Sequence, residues 1–218
     1  MQTEIEAKFL DIKPSELKIQ LKELGAIHEH PKRLMKRKTF DDQNGKLRKI
    51  GGWIRVRDEG DKITLSYKQL NDRTLHGTKE ITIVVNDFDA TALFLEAVGF
   101  RQKSFQETKR EKWILDGVEI TIDDWPWIPT FAELEGESEE QLKDIAIKLG
   151  LDWNKALYGS VETAYQAYYN VTEEEIDSWK NITFVPMPDW LEMRKKWKLI
   201  KHRRCTKQAG GGVSIFFC

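Results

Sequence analysis

Carboxylates recur in this sequence as pairs two residues apart, Glu4/Glu6 and Glu133/Glu135, with Glu80 and Asp123 between them along the chain. Fixed cations recur beside them as Lys8, Arg55/Arg57, Lys68 and Arg110. Hard divalent cations such as Mg2+ and Mn2+ take oxygen ligands, and carboxylates from several segments supply them. A polyphosphate carries charge that such metals only partly cancel. Lys and Arg clamp the remaining oxygens, and Arg does so with two parallel donors. In one enclosed site the two sets hold each other's charge states, so neither is a pure burial cost. The assembly is coherent for phosphoryl transfer, where catalysis is mostly positioning and neutralisation of charge.

Strand periodicity must bring these groups together. Glu4, Glu6 and Lys8 share one face of a period-two pattern, and Ile5, Ala7 and Phe9 share the other. Alone, that pattern fits a solvated edge strand as well as a closed barrel whose inside is polar. The same theme returns in Trp53 to Arg57, in Lys62 to Gln69 after an Asp58-Glu59-Gly60-Asp61 turn, and in Thr78 to Val85. It returns again in Val118 to Asp123 after the Asp116-Gly117 turn, and in Thr130 to Gly136. Two further strands are expected over Leu34 to Asp41, with Lys36 and Lys38 on a solvated face, and over Lys103 to Leu115.

Helices are expected after Pro14, with Ser15 as N-cap, then over Asp89 to Gly99, from Ser138 to Gly150 and over Val161 to Tyr169. Thr172-Glu173-Glu174-Glu175 reads as a capping box, and Pro186 and Pro188 precede a last helix from Asp189. The Trp125/Trp127 loop reads as a lid on the barrel end. His28, His30, His76 and His202 show no ligand spacing and read as surface or loop residues.

The 218 residues hold 35 basic and 36 acidic side chains, so nothing points to nucleic acid as the partner. No apolar run approaches membrane-spanning length, and the N-terminus enters a strand pattern directly, without a signal peptide. Cys205 and Cys218 exclude a disulfide framework in the body and suit a reducing cytoplasm. Arg194 to Lys207 carries eight Lys or Arg and no acid, which reads as a cationic helix.

Glu4-Ile5-Glu6-Ala7-Lys8 resembles the ExExK signature of the CYTH family, the triphosphate tunnel metalloenzymes. Leu47 to Arg57 is similar to the family's LR..G..LRIR segment, Ser66-Tyr67-Lys68 to its T-x-K strand, and Lys79-Glu80-Ile81 to its acidic strand. Thr108-Lys109-Arg110 resembles its K-x-R strand and Phe131 to Gly136 its F-x-E-x-E-G segment. The resemblance implies an α+β fold, a closed eight-stranded antiparallel β-barrel forming a tunnel with helices packed outside. It would occupy residues 1–170, followed by a helical extension over 171–204 and a disordered tail over 205–218.

By that resemblance Glu4, Glu6, Glu80, Asp123, Glu133 and Glu135 would be ligands of Mg2+ or Mn2+. Lys8, Arg55, Arg57, Lys68 and Arg110 would grip a triphosphate, with Lys8, Glu4 and Glu6 as the catalytic candidates. The family often places a basic residue before a C-terminal SY motif; Ser160-Val161-Glu162 has none here, and Lys155 is the nearest substitute. The implied activity is that of a class IV adenylate cyclase or a triphosphatase acting on a nucleoside, thiamine or inorganic triphosphate. The alternative is a non-catalytic polyphosphate or nucleotide sensor. The partner is a triphosphate-containing small molecule, without nucleic acid or membrane, and a homodimer is compatible with this reading.

Overall fold

In chain order the computed structural model, which describes residues 1–196, runs β1 (Gln2–Phe9), α1 (Pro14–Glu23), β2 (Ile27–Asp42), α2 (Lys46–Lys49), β3 (Gly52–Asp58) and β4 (Ile63–Leu70). It continues with β5 (Thr78–Val85), α3 (Phe88–Ala97), β6 (Phe100–Leu115), β7 (Val118–Asp124), β8 (Phe131–Gly136) and α4 (Glu139–Lys148). Then come a 3-10 turn (Trp153–Lys155), α5 (Glu162–Tyr168), α6 (Glu173–Asp177), β9 (Asn181–Ile182) and α7 (Asp189–Glu192).

Eight strands pair antiparallel in the order β2-β3-β4-β5-β1-β8-β7-β6, and β2 pairs with β6 to close the ring. That is the expected tunnel barrel. Turn chemistry fixes its hairpins: Asp116 and Gly117 both hold positive φ, 49° and 80°, the twist a two-residue β-hairpin needs.

The closing strands are longer than periodicity suggests. β2 starts at Ile27 rather than Leu34, and β6 at Phe100 rather than Lys103. Their mutual ladder carries register shifts at His28/His30, His30/Arg33 and Thr39/Phe40. Each bulge breaks the period-two signal while the pairing continues. Two local expectations also change. Lys13, not Ser15, is the cap of α1, because Pro14 takes the first helical position, where its missing N–H costs nothing. The Asn44-Gly45 turn runs into the unforeseen short helix α2.

Helices α1 and α4 cover the outer faces of β1, β7 and β8 through Leu17, Leu21, Leu142 and Ile145, packed on Ala7, Ile120 and Leu134. Helix α3 covers Phe40 and Val56 with Ala92 and Leu95. The third apolar cluster lies across one end of the barrel, where Trp125, Phe131, Tyr165, Ile176, Ile182 and Leu191 meet. There β9 adds parallel to β6 at Phe105 and Gln106, and the Ser104 hydroxyl donates to the Trp179 carbonyl at 2.8 Å. The chain after α5 therefore packs as part of the barrel's cover.

Residues 194–196 depart from the cationic-helix expectation. Lys195 bridges to Tyr169, and Asn170 N–H donates to the Arg194 carbonyl, so tertiary backbone bonds replace helical ones. The rest of that stretch, the 205–218 tail, both cysteines and His202 lie outside the described residues. Among the described residues no helix is long and apolar enough to cross a membrane.

Candidate functional site

The polar faces of the eight strands point inward and line a cavity of about 630 Å³. Glu4, Glu6, Lys8, Arg55, Arg57, Lys68, Glu80, Arg110, Glu133 and Glu135 all reach it. In this structure all of them except Glu135 form internal ion pairs. Lys8 Nζ donates to Glu6 Oε1 at 2.8 Å and to the Gly159 carbonyl at 2.6 Å, and lies 3.1 Å from Glu133 Oε2. Arg110 bonds Asp123 through two donors, at 2.7 and 2.6 Å, and reaches Glu133 at 3.2 Å. On the other wall Lys68 bridges Glu4 at 2.8 Å and Glu80 at 3.0 Å, and Arg55 adds 3.1 Å to Glu80.

Burial opposes charge at Lys8, but Glu133 and Glu6 outweigh it and hold the ammonium well above its ordinary pKa. At Glu133, Lys8 and Arg110 likewise overcome burial and bring the carboxyl down to about 2. Glu4 goes the other way: burial and the neighbouring Glu80 push it up to about 8. Glu80 is held low against its burial, first by a hydrogen bond from Glu4 and then by Lys68 and Arg55, so the Glu4/Glu80 pair favours sharing one proton. Glu135 has no cation partner among the described residues. Burial, with Glu119 and Glu133 nearby, raises it to about 7.

Several groups that sequence reasoning missed share the lining. Arg37 of β2 is 7% exposed and points inward beside Arg55 and Arg57. Its signal was present, since Lys36 and Lys38 facing outward puts residue 37 inside. Glu59 in the β3–β4 turn caps Arg57 at 2.6 Å, and Glu119 holds Lys112 at 2.5 Å. Asp123, by contrast, lies behind the wall. It is 1% exposed, and Arg110 and Thr121 take both of its oxygens. Lys155 is exposed and pairs with Asp152, away from the cavity. Trp125 stands at the covered end as the lid reading expects, with the Arg37 guanidinium 4.6 Å above its ring. His28 is not simply a surface group: it stacks on Trp113 at 4.2 Å, outside the tunnel.

The sequence model of the CYTH domain matches residues 2–169. The chain belongs to the CYTH family. None of the curated proteins matches it. Among solved structures, this CYTH protein is similar to one from Vibrio parahaemolyticus provisionally named an adenylate cyclase: TM-score 0.66, 15% identity, covering 76% of this chain and 98% of that one. It is similar also to a conserved hypothetical protein from Pyrococcus furiosus, at TM-score 0.59 and 20% identity, over 71% and 94% of the two chains. A Hippeastrum protein, provisionally named an adenylyl cyclase and described as having a dominant triphosphatase activity, matches at TM-score 0.50 and 15% identity, over 81% and 95%. At these identities the likeness is one of fold.

The donor set of this CYTH protein suits a hard divalent cation: Glu4, Glu6, Glu80, Glu133 and Glu135, among the glutamates on the cavity wall, offer oxygen ligands only. Among the described residues no three acidic or imidazole groups already converge as a cage, because Lys8, Lys68, Arg55 and Arg110 occupy the carboxylates. The crowding at Glu135 has a measurable consequence in metal-free protein. A carboxyl whose folded pKa is raised contributes stability below its unfolded pKa and loses it as pH rises through the folded one. The window here runs from 4.5 to about 7. Glu135→Gln is therefore expected to raise the melting temperature at pH 8 and leave it unchanged at pH 4. The upper limit is roughly 3 kcal/mol. Equal melting at both pH values would place Glu135 in open solvent.

Proposed function

We propose that this CYTH protein is a divalent-metal-dependent enzyme acting on a linear triphosphate, with hydrolysis as the first reading. One observation carries this reading: every carboxylate that would bind a metal, except Glu135, is held by a cation that would bind a phosphate. When both ligands enter, the pairs can exchange, carboxylates turning to metal and cations to phosphoryl oxygens, so that no buried charge is left alone. Glu4, Glu6, Glu80, Glu133 and Glu135 would hold Mg2+ or Mn2+, which when bound polarises phosphoryl oxygens and neutralises their charge. Asp123 is assigned the task of orienting Arg110 rather than that of a ligand. Arg55, Arg57, Arg110 and Lys68 grip the chain along the wall, and Lys8 sets a positive charge beside Glu6 and Glu133 toward the covered end. Water attacking the terminal phosphorus would release orthophosphate. The two cysteines, both in the C-terminal tail, fit a reducing cytoplasmic setting.

A second reading is cyclisation, in which the ribose 3′-hydroxyl of ATP attacks the α-phosphorus and releases pyrophosphate. Trp53 favours it, since this half-buried aromatic in the wall offers a face for a base. The test is to incubate the protein with Mg2+ or Mn2+ and tripolyphosphate, thiamine triphosphate or ATP, and to resolve the products. Phosphate from tripolyphosphate supports hydrolysis, and cyclic AMP supports the second reading. Tight binding without product would make the chain a sensor. The pair exchange also requires the two ligands to assist each other. Calorimetry should show tripolyphosphate binding at least about tenfold tighter with Mn2+ present, a coupling of about 1.4 kcal/mol; independent binding would remove the exchange argument.

A further inference from the structure

Helix α3 differs from the other helices on the barrel wall in the side it turns away from the barrel. The outer sides of α1 and α4 are charged, with Glu16, Lys22 and Glu23 exposed on one and Glu140, Asp144 and Lys148 on the other. Helix α3 packs Ala92 and Leu95 onto Phe40 and Val56. Its outer side is apolar again at helical spacing: Ala90, Leu93, Phe94 and Ala97, with Val98 just past its end. Leu93, Phe94 and Val98 are each more than half exposed. A helix that is apolar all round is normally buried on both sides. Among the described residues α3 has a neighbour on one side only.

The barrel has the converse deficit. Helices α1 and α4 cover β1, β7 and β8, and α3 covers β2 and β3. Ile81 and Ile83 on the outer face of β5 belong to none of the apolar clusters and stay more than half exposed. Ile83 lies directly across from Leu65 of β4, and Leu65 packs against the cluster under α3. The bare helix side and the bare sheet face are therefore neighbours. Because β2 and β6 close the ring, the eight barrel strands offer no free edge for strand addition. Whatever covers this side must pack face to face.

Five large side chains at this exposure offer on the order of 500 Å² of apolar surface. Each partner of a standard interface buries about 800 Å², the remainder being polar rim. Rim charges of both signs are present. Glu96 flanks the apolar side of α3, Lys79 shares the outer face of β5 with Ile81 and Ile83, and both are exposed and unpaired among the described residues.

We propose that this side is the interface of a homodimer in which α3 of each copy lies across the outer face of β4 and β5 of the other. One two-fold axis then gives each sheet the helix it lacks and each α3 its second apolar neighbour. It also brings Glu96 of one copy toward Lys79 of the other. An anionic membrane is the poorer occupant, because α3 and its cap carry Asp87, Asp89 and Glu96 and no Lys or Arg.

Sedimentation velocity of the full chain at about 50 µM should show twice the mass of one chain, since interfaces of this size reach micromolar affinity or better. Phe94→Glu and Ile83→Lys change exposed positions and should leave the circular dichroism spectrum normal. Each should weaken association at least about 100-fold, because the charge enters the apolar contact twice. Mixed in equal amounts, the two variants should recover a dimer. Glutamate on one copy then faces lysine on the other, and the second helix–sheet contact keeps its wild-type residues. That recovery requires helix to meet sheet. Leu93→Glu replaces Phe94→Glu if the latter misfolds. A monomeric wild type overturns the dimer, and the variants then say what holds the face: a lowered melting temperature assigns it to another segment of the same chain, an unchanged one to a different protein. A dimer that survives both substitutions, or variants that stay monomeric when mixed, overturns the arrangement as well.

Discussion

Glu133→Gln is expected to lower turnover of tripolyphosphate by more than about 100-fold, beyond the loss that even outer partners of a metal site produce. The side chain stands between Lys8 at 3.1 Å and Arg110 at 3.2 Å and is 9% exposed. Glutamine keeps its volume and its hydrogen-bonding reach but removes the charge that a metal would need. Lys8 still has Glu6 and Arg110 still has Asp123, so the fold should persist with a normal circular dichroism spectrum. Glu111→Gln is the control. Glu111 is buried to a similar degree, yet it points outside the barrel, to Lys18, His28 and the Trp113 indole. That substitution should cost stability and leave the rate within about twofold, since surroundings and not burial give Glu133 its role. A Glu133→Gln rate close to wild type would remove this glutamate from the metal set.

The interior was legible wherever a strand keeps strict alternation. β1, β3, β4, β5 and β8 each declare two faces, and the structure points the charged one inward; helices cover the apolar face of β1, β3 and β8, while Ile81 and Ile83 on the outer face of β5 stay exposed. A polar interior inverts the usual pattern of a half-buried strand, so alternation could say which residues share a face but not which face is wet; the ordered resemblance to the family made that choice. Arg37 is masked in the sequence by Lys36 and Lys38 on either side, which face outward, with Lys38 reaching Asp89 at 2.7 Å. Thr108 stands where the K-x-R resemblance has lysine, and Arg37 comes across from β2 to meet its hydroxyl. A cation moved from one strand to its neighbour is invisible to a motif, because pairing across β2 and β6 is a long-range fact. Glu59 was hidden for a related reason, since turn residues read as solvent. β9 and the cover built by residues 171–196 lack periodicity and depend on packing against Trp125 and Tyr165. Asp123 was legible as an inward carboxylate, but only coordinates reveal that Arg110 has taken it.

That pair gives the largest expected effect on stability. Arg110→Met would strand Asp123, which is 1% exposed and would keep only the Thr121 hydroxyl at 2.9 Å. Breaking a buried ion pair from one side costs about 3–5 kcal/mol, because the remaining charge loses its partner but not its burial. For a chain of this size the melting temperature should fall by roughly 10 °C. Glu133 is also reached by Arg110, so part of the loss is shared between two carboxylates. Adding Asp123→Asn to Arg110→Met removes the stranded charge and should recover more than half of the lost stability, the strong non-additivity expected of contacting groups. Activity should not return with it. The double variant still lacks a guanidinium on the cavity wall, so its KM for tripolyphosphate should stay at least about tenfold high, a lost charge-assisted bond. Stability restored without affinity separates two tasks of Arg110, neutralising Asp123 from one side and offering donors to phosphate from the other. A single variant that melts like wild type, or a double variant no more stable than the single, would mean that Asp123 is not the buried anion described here.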